Sequence, residues 1–504
     1  MCFLALCSVP MPGRCAPRLA AIFGENMVLQ QGVPVPVWGW AQPGEVVTVA
    51  IGGQTAKGDA DQKGRWQVRL SPMRSQDVPL ELAVVGAMGA AIRVKNVLVG
   101  EVWLCTGPSN IFWPVKRCDK AEEEMASAHF PKLRFFTVAR KTADEPQADC
   151  EGRWVECSPA SVADASGLGF FFARRLHREL RVPVGLVQSF WGGSRIEAWT
   201  SLEALRSRPA LKHILDYWAR EGEAFASGQA EGAYRRERAE WWAAAAEPKS
   251  PGRKGAKKPK PPADPRTSPH RPGCLFNAMI APLAPFPIRG AITYQGLGNL
   301  FWPEYSRELL ETMIADWRAR WNLGDFPFGM VQPAPYTCEG WAQSGPHAYS
   351  IQRESQVQVL QTVPNTGLAL TMDIDAVKSL HFPQKQPVAG RLAAWALATV
   401  YGRPTPWRGP VCGSLAVEGS RLRLHFEHAE GGLRTRDGKA PTCFTVAGVD
   451  RVFHPAAAII QGSDVLVSSD RVPLPTAVRF AWADTDVPNL INRDGLPAAL
   501  FEKK

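Results

Sequence analysis

From Ile22 to Leu98 apolar and polar positions alternate in short runs broken by Gly and Pro, among them Val33–Trp40, Val46–Ile51 and Trp66–Leu70. Period-two runs at this spacing predict strands of a small β-sandwich. From about Val97 to Gly402 the pattern changes. Unbroken apolar runs (Val97–Leu104, Val184–Gln188, Ala291–Gln295, Gly367–Met372) alternate with helical periodicity at Gly169–Leu180, Tyr305–Trp317 and Arg391–Val400. Apolar runs without alternation are strands buried on both faces, and strand–helix repetition predicts an α/β domain with a mainly parallel sheet. From Pro404 to Phe501 period two returns, as in Leu422–Phe426 and Val465–Ser468, and predicts a second β-rich domain. The expected organisation is a tail over 1–20, a β-sandwich domain over 21–98, the α/β domain over 99–402 and a C-terminal β-rich domain over 403–504. Within the α/β part, 202–247 reads as a helical insertion and 248–272 as a disordered basic loop.

Length and composition agree with several cores: 504 residues, 45% hydrophobic, 18 Trp. No run reaches the ~18 uncharged apolar residues of a membrane-spanning helix. The formal net charge of +10 suggests nucleic acid until it is located. Lys249, Arg253, Lys254, Lys257, Lys258, Lys260 and Arg266 share one Pro-rich stretch with a single acid, Asp264. The basicity is mostly a local insertion, so no nucleic-acid partner is expected. The 11 cysteines have no CxxC spacing, which argues against a zinc site and leaves room for one or two disulfides without fixing their pairing. Phe3–Val9 is apolar but lacks the basic residues that open a signal peptide, so any leader is incomplete.

Four segments follow predicted strands, where open α/β sheets place their sites. Thr106-Gly107-Pro108-Ser109-Asn110 exposes a hydroxyl at a turn. Serine is a poor nucleophile and needs a base and an oxyanion hole. Trp191-Gly192-Gly193-Ser194 gives paired glycines that let backbone N–H groups approach a substrate oxygen. Tyr294-Gln295-Gly296-Leu297-Gly298-Asn299 ends in a side-chain donor. Asp373-Ile374-Asp375-Ala376-Val377-Lys378-Ser379-Leu380-His381 offers a late base. Each segment alone is an ordinary turn.

Together, in this order, they resemble the SGNH hydrolases, and within them the sialate O-acetylesterase family of carbohydrate esterases. The similarity extends to Phe23–Gln30, Val37–Gly44, Val99–Cys105, Phe276–Leu283, Arg391–Ala393 and Asn489–Ala498, nearly the whole chain apart from the Lys/Pro loop. The resemblance implies an SGNH-hydrolase three-layer domain flanked by β-rich domains. It implies an esterase that removes acetyl groups from sugar hydroxyls, with an acetylated glycan or sialic acid derivative as partner and no metal or other cofactor. Ser109 would be the nucleophile and His381 the base. The N–H groups of Ser109 and of Gly192 or Gly193, with Asn299, would hold the oxyanion. Export to the periplasm or the outside is also expected from the resemblance.

Three positions depart from the family pattern. Pro108 stands where a Gln precedes the nucleophile. Leu297 and Gly298 stand where Glu and Ser precede the Asn. Most consequentially, an Asp two residues before the base is replaced by Ser379, and no acid lies between Ala376 and Leu380. Asp375 is the substitute candidate, with Asp373 behind it. Loss of the orienting acid costs about 10⁴ in rate in serine proteases. An esterase and a catalytically impaired, glycan-binding homologue are therefore both compatible with the sequence.

Overall fold

The computed structural model describes residues 17–87, 89, 91–246, 258–337 and 347–504. Its axis is one 17-residue strand, β1 (Ala91–Gly107). The first residues of β1 alternate between exposed and buried, and from Val97 onward every residue is buried. The first half pairs antiparallel with Gln76–Val85 and, from Leu98, parallel with Val28–Gln30. The second half lies at the centre of a parallel sheet. With β2 (Phe130–Thr137), β3 (Trp154–Cys157), β4 (Val184–Phe190), β5 (Gly290–Thr293), β6 (Phe328–Val331) and β7 (Thr366–Ala369), the order is β3-β2-β4-β1-β5-β6-β7. All pairs are parallel except the edge pair β2/β3. The chain builds one side of β1 first and then the other, so the topology switches beside β1, where such sheets bind ligands.

Helices cover both faces: α1 (Ser109–Phe112) is a single turn, and α2 (Gly167–Leu180), α3 (Ser306–Trp321), α4 (Ala348–Thr362) and α5 (Lys385–Thr399) are long, while the long helices Lys212–Ala226 and Gln229–Ala246 occupy the stretch read as a helical insertion. Alternation along β1 assigns its side chains. Trp103 and Cys105 join the core under α2 and α5, where Trp103 meets Phe172 and Trp395 edge-on. Val102 and Leu104 join the core with Leu309, Met313 and Trp317 of α3. Bare backbone is required beneath the indoles, since a Cβ at Gly367 would lie 2.3 Å from Trp395. The buried Glu101 takes Arg289 (2.7 Å) and the Tyr401 hydroxyl (2.9 Å), tying β1 to distant parts of the chain.

The result is a mixed α/β protein with one large mixed sheet and further β-rich sheets. The C-terminal part holds two four-stranded sheets and one two-stranded pair. Three expectations need adjusting. The boundary at 98/99 falls inside β1, because one strand serves both the N-terminal sheet and the central one. The tail over 1–20 includes Arg18–Leu19, paired with Gly39–Trp40, and Leu19 and Ala20 are buried; residues 1–16, with the leader expectation, lie outside the described residues. The loop expected over 248–272 lies outside them as far as 257. Beyond that, Asp264 caps the short helical turn Pro265–Thr267 and Arg271 pairs with Asp144, so this half is tethered. Among the described residues Cys105, Cys118, Cys150, Cys157, Cys274, Cys412 and Cys443 are free thiols. No described helix is long and apolar enough to cross a membrane.

Candidate active site

Strand β1 ends at Gly107, whose φ of +132° turns the chain out of the sheet. Pro108 is the N-cap residue of α1, which puts Ser109 at the start of the turn. Ser166, the N-cap of α2, holds this turn: its hydroxyl donates to the Ile111 carbonyl and accepts from Gly169 N–H, while Gln188 Oε1 accepts its own N–H at 3.0 Å. His381 lies on the loop between β7 and α5. Its Nε2 is 2.7 Å from Ser109 Oγ, across 272 residues of chain. The Trp113 indole stacks on the imidazole with centroids 5.0 Å apart and planes 7° from parallel.

The His381 pKa is pushed down, first by burial and then by the cations of Lys385 and Arg117. Burial and both cations favour the neutral imidazole, the form a base requires. Asp375 does not serve it. Asp375 is exposed, and among the described residues no carboxylate is hydrogen-bonded to His381. Asp373 is engaged elsewhere, in a two-point pair with Arg391. Ile374 and Ala376 bury their side chains on either side of Asp375, which leaves Asp375 facing solvent.

Gly192 stands beside the nucleophile: a Cβ there would lie 3.9 Å from Ser109 Cβ. Gly193, at φ +71°, faces His270 instead, with its Cβ position 3.7 Å from the imidazole Cε1. Among the described residues neither glycine N–H donates to a backbone carbonyl. Asn299 is fully buried behind this loop. Its Oδ1 accepts from Ile196 N–H at 2.9 Å and its Nδ2 donates to Glu197 Oε2 at 2.8 Å, leaving one amide proton. Glu197 is itself buried, which raises its pKa, and Arg195 lies 3.9 Å away. Ser109, His381 and Gly192 are therefore brought together, Asn299 sits one layer behind, and Asp375 is excluded. Asn110, Lys385, Trp113 and Glu197 went unnoticed in the sequence analysis. Asn110 lies inside the nucleophile turn and Glu197 three residues past the Gly-Gly segment, but nothing in spacing reveals that Lys385 Nζ meets Asn110 Oδ1 (2.8 Å) or that Asn110 Nδ2 meets the Leu380 carbonyl (3.0 Å). Among the described residues no cluster of three His, Cys, Asp or Glu could hold a metal ion.

No family model matches the chain. In structure it is similar to a carbohydrate acetylesterase from Xanthomonas citri, at a TM-score of 0.81 and 32% identity, covering 97% of this chain and 99% of that one. That likeness puts the chain among proteins with the carbohydrate esterase fold. In sequence it is similar to the sialate O-acetylesterases of Rattus norvegicus (29% identical, 92% of this chain and 89% of that protein) and Homo sapiens (27%, 78% and 73%). The chain belongs with the carbohydrate acetylesterases, and its relatives in sequence are sialate O-acetylesterases.

Proposed function

We propose that this protein is a serine-type carbohydrate O-acetylesterase of the SGNH kind. It hydrolyses acetyl esters on sugar hydroxyls, sialic acid derivatives among the candidates. The observation that carries this reading is the 2.7 Å contact between Ser109 Oγ and His381 Nε2 at the carboxyl end of the central strand. Ser109 Oγ attacks the acetyl carbonyl carbon while His381 Nε2 takes the hydroxyl proton. The developing oxyanion lies against the N–H groups of Ser109 and Gly192, with the remaining Asn299 amide proton behind them. As the C–O bond to the sugar breaks, His381 returns the proton to the sugar oxygen. Water then attacks the acetyl-serine, gives its proton to His381, and acetate leaves as Ser109 recovers it.

The name and structure of the relatives support an acetylated sugar as substrate. The test is acetate release from a panel of acetylated glycans and from a chromogenic acetate ester, with Ser109→Ala as control. The expected result is turnover by the wild type and none by the variant. Equal rates would overturn the reading. One observation favours a second reading: among the described residues His381 has cations, not a carboxylate, around it. A glycan-binding homologue without turnover would then bind acetylated sugars equally well in both proteins.

A further inference from the structure

We propose that the Lys385 ammonium, held on Asn110, sets the nucleophile turn against the His381 loop and is a positioning residue for the dyad; this rests on the esterase reading above. Lys385 opens α5 four residues after the base, and its side chain is fully buried. Asn110 follows the nucleophile and Leu380 precedes the base. The bond from Asn110 Nδ2 to the Leu380 carbonyl (3.0 Å) therefore runs beside the Ser109–His381 contact, and the same two loops are joined twice.

Lysine determines which way the Asn110 amide faces. In its charged form the lysine only donates, so below about pH 7 the amide atom opposite Nζ, at 2.8 Å, is the oxygen. That leaves Nδ2 for the Leu380 carbonyl. A neutral aliphatic side chain would fill the same space without dictating either end. It would also fold more readily. Lys385 has no carboxylate partner among the described residues, and its Nζ also lies 3.7 Å from the Phe382 ring and 5.7 Å from the Tyr294 ring. Burial lowers its pKa to about 7, and the neighbouring Cys118 thiol, pushed up to about 12, supplies no negative charge. A buried ammonium with so little compensation is costly, and the amide orientation is what it provides here.

The charged groups facing His381 are Lys385 from α5 and Arg117 from the turn Val115–Arg117, and both lower its pKa. Removing Lys385 should therefore raise the His381 titration midpoint, which reports the lost charge, while a fall in kcat at constant KM reports the lost positioning. The experiment uses the full chain with Lys385→Met, Asn110→Leu and the double variant, each first shown to be folded by circular dichroism. Acetate-ester kinetics should show each single variant losing kcat about 10²-fold, as for a small misplacement of reacting groups, with KM within about twofold. The double variant should be no slower than the slower single one. Carbon-13 NMR of labelled histidine should show the His381 midpoint at higher pH in Lys385→Met. Losses that multiply in the double variant, or an unmoved midpoint in folded Lys385→Met, would overturn the proposal. If the wild type released no more acetate than Ser109→Ala, the esterase reading would fail, and with it the positioning role of Lys385; an active wild type whose Lys385→Met variant kept full kcat would overturn the positioning role alone.

Discussion

Ser379→Asp places a carboxylate two residues before the base, where the family pattern has one. Ser379 is exposed on the His381 loop and its N–H donates to the Ala376 carbonyl at 2.9 Å, so the substitution changes charge without disturbing packing. In the reaction His381 becomes an imidazolium beside Lys385 and Arg117, both of which disfavour that charge. A carboxylate about 4 Å away offsets this by ~1 kcal/mol in a water-like medium and ~4 kcal/mol at an effective dielectric of ~20. The half-buried His381 lies nearer the first limit, so we take ~1–2 kcal/mol. At ~1.4 kcal/mol per factor of ten, kcat should rise about 5- to 30-fold. The pH dependence gives an independent sign. The base works when neutral, so activity rises with pH through the His381 pKa. The new anion raises that pKa, and the acid limb of kcat/KM, expected below the usual histidine range in the wild type, should move to higher pH. The assay is chromogenic acetate-ester hydrolysis across acid and neutral pH, with a crystal structure of the variant. A carboxylate seated on His381 Nδ1 with neither kcat nor the acid limb changed would refute the argument that the site lacks only an acid.

Two further outcomes follow from backbone crowding. Gly192→Val should lower kcat/KM by about 10²-fold or more in a folded protein, because its side chain would occupy the space beside Ser109 Cβ where the acetyl carbonyl must sit; normal turnover would place the oxyanion site elsewhere. Gly298→Ala puts a Cβ 2.7 Å from the Ser194 carbonyl oxygen, so overpacking should lower stability by about 1–3 kcal/mol in urea unfolding and loosen Asn299 from the Gly192 loop; an unchanged midpoint would show that the loop shifts freely.

Much of the central domain was legible because strands buried on both faces leave unbroken apolar runs: β1, β4, β5 and β7 were all marked that way, as were α2, α3 and α5. The strands β2 and β6 were missed, since Phe130-Pro131-Lys132 opens one with a polar edge and the four residues Phe328–Val331 are too short to show a period. Helix α4 was missed because its Gln- and Ser-rich sequence is buried through hydrogen bonds, such as Gln352 Nε2 to the Gly296 carbonyl, and not through an apolar stripe. The N-terminal boundary was misplaced because β1 changes pairing partner, not composition, near Leu98.

Which residues could do chemistry, Ser109 and His381 above all, is written locally, in the turn at the end of β1, the Gly192–Gly193 pair and the loop before α5. Their partnerships come from the packing of the folded chain. Strand order brings residues 109 and 381 to 2.7 Å, and loop packing turns Asp375 outward. The same packing buries Lys385 against Asn110. These are contacts between segments hundreds of residues apart, set by how helices pack on the sheet, and no periodicity along the chain records them.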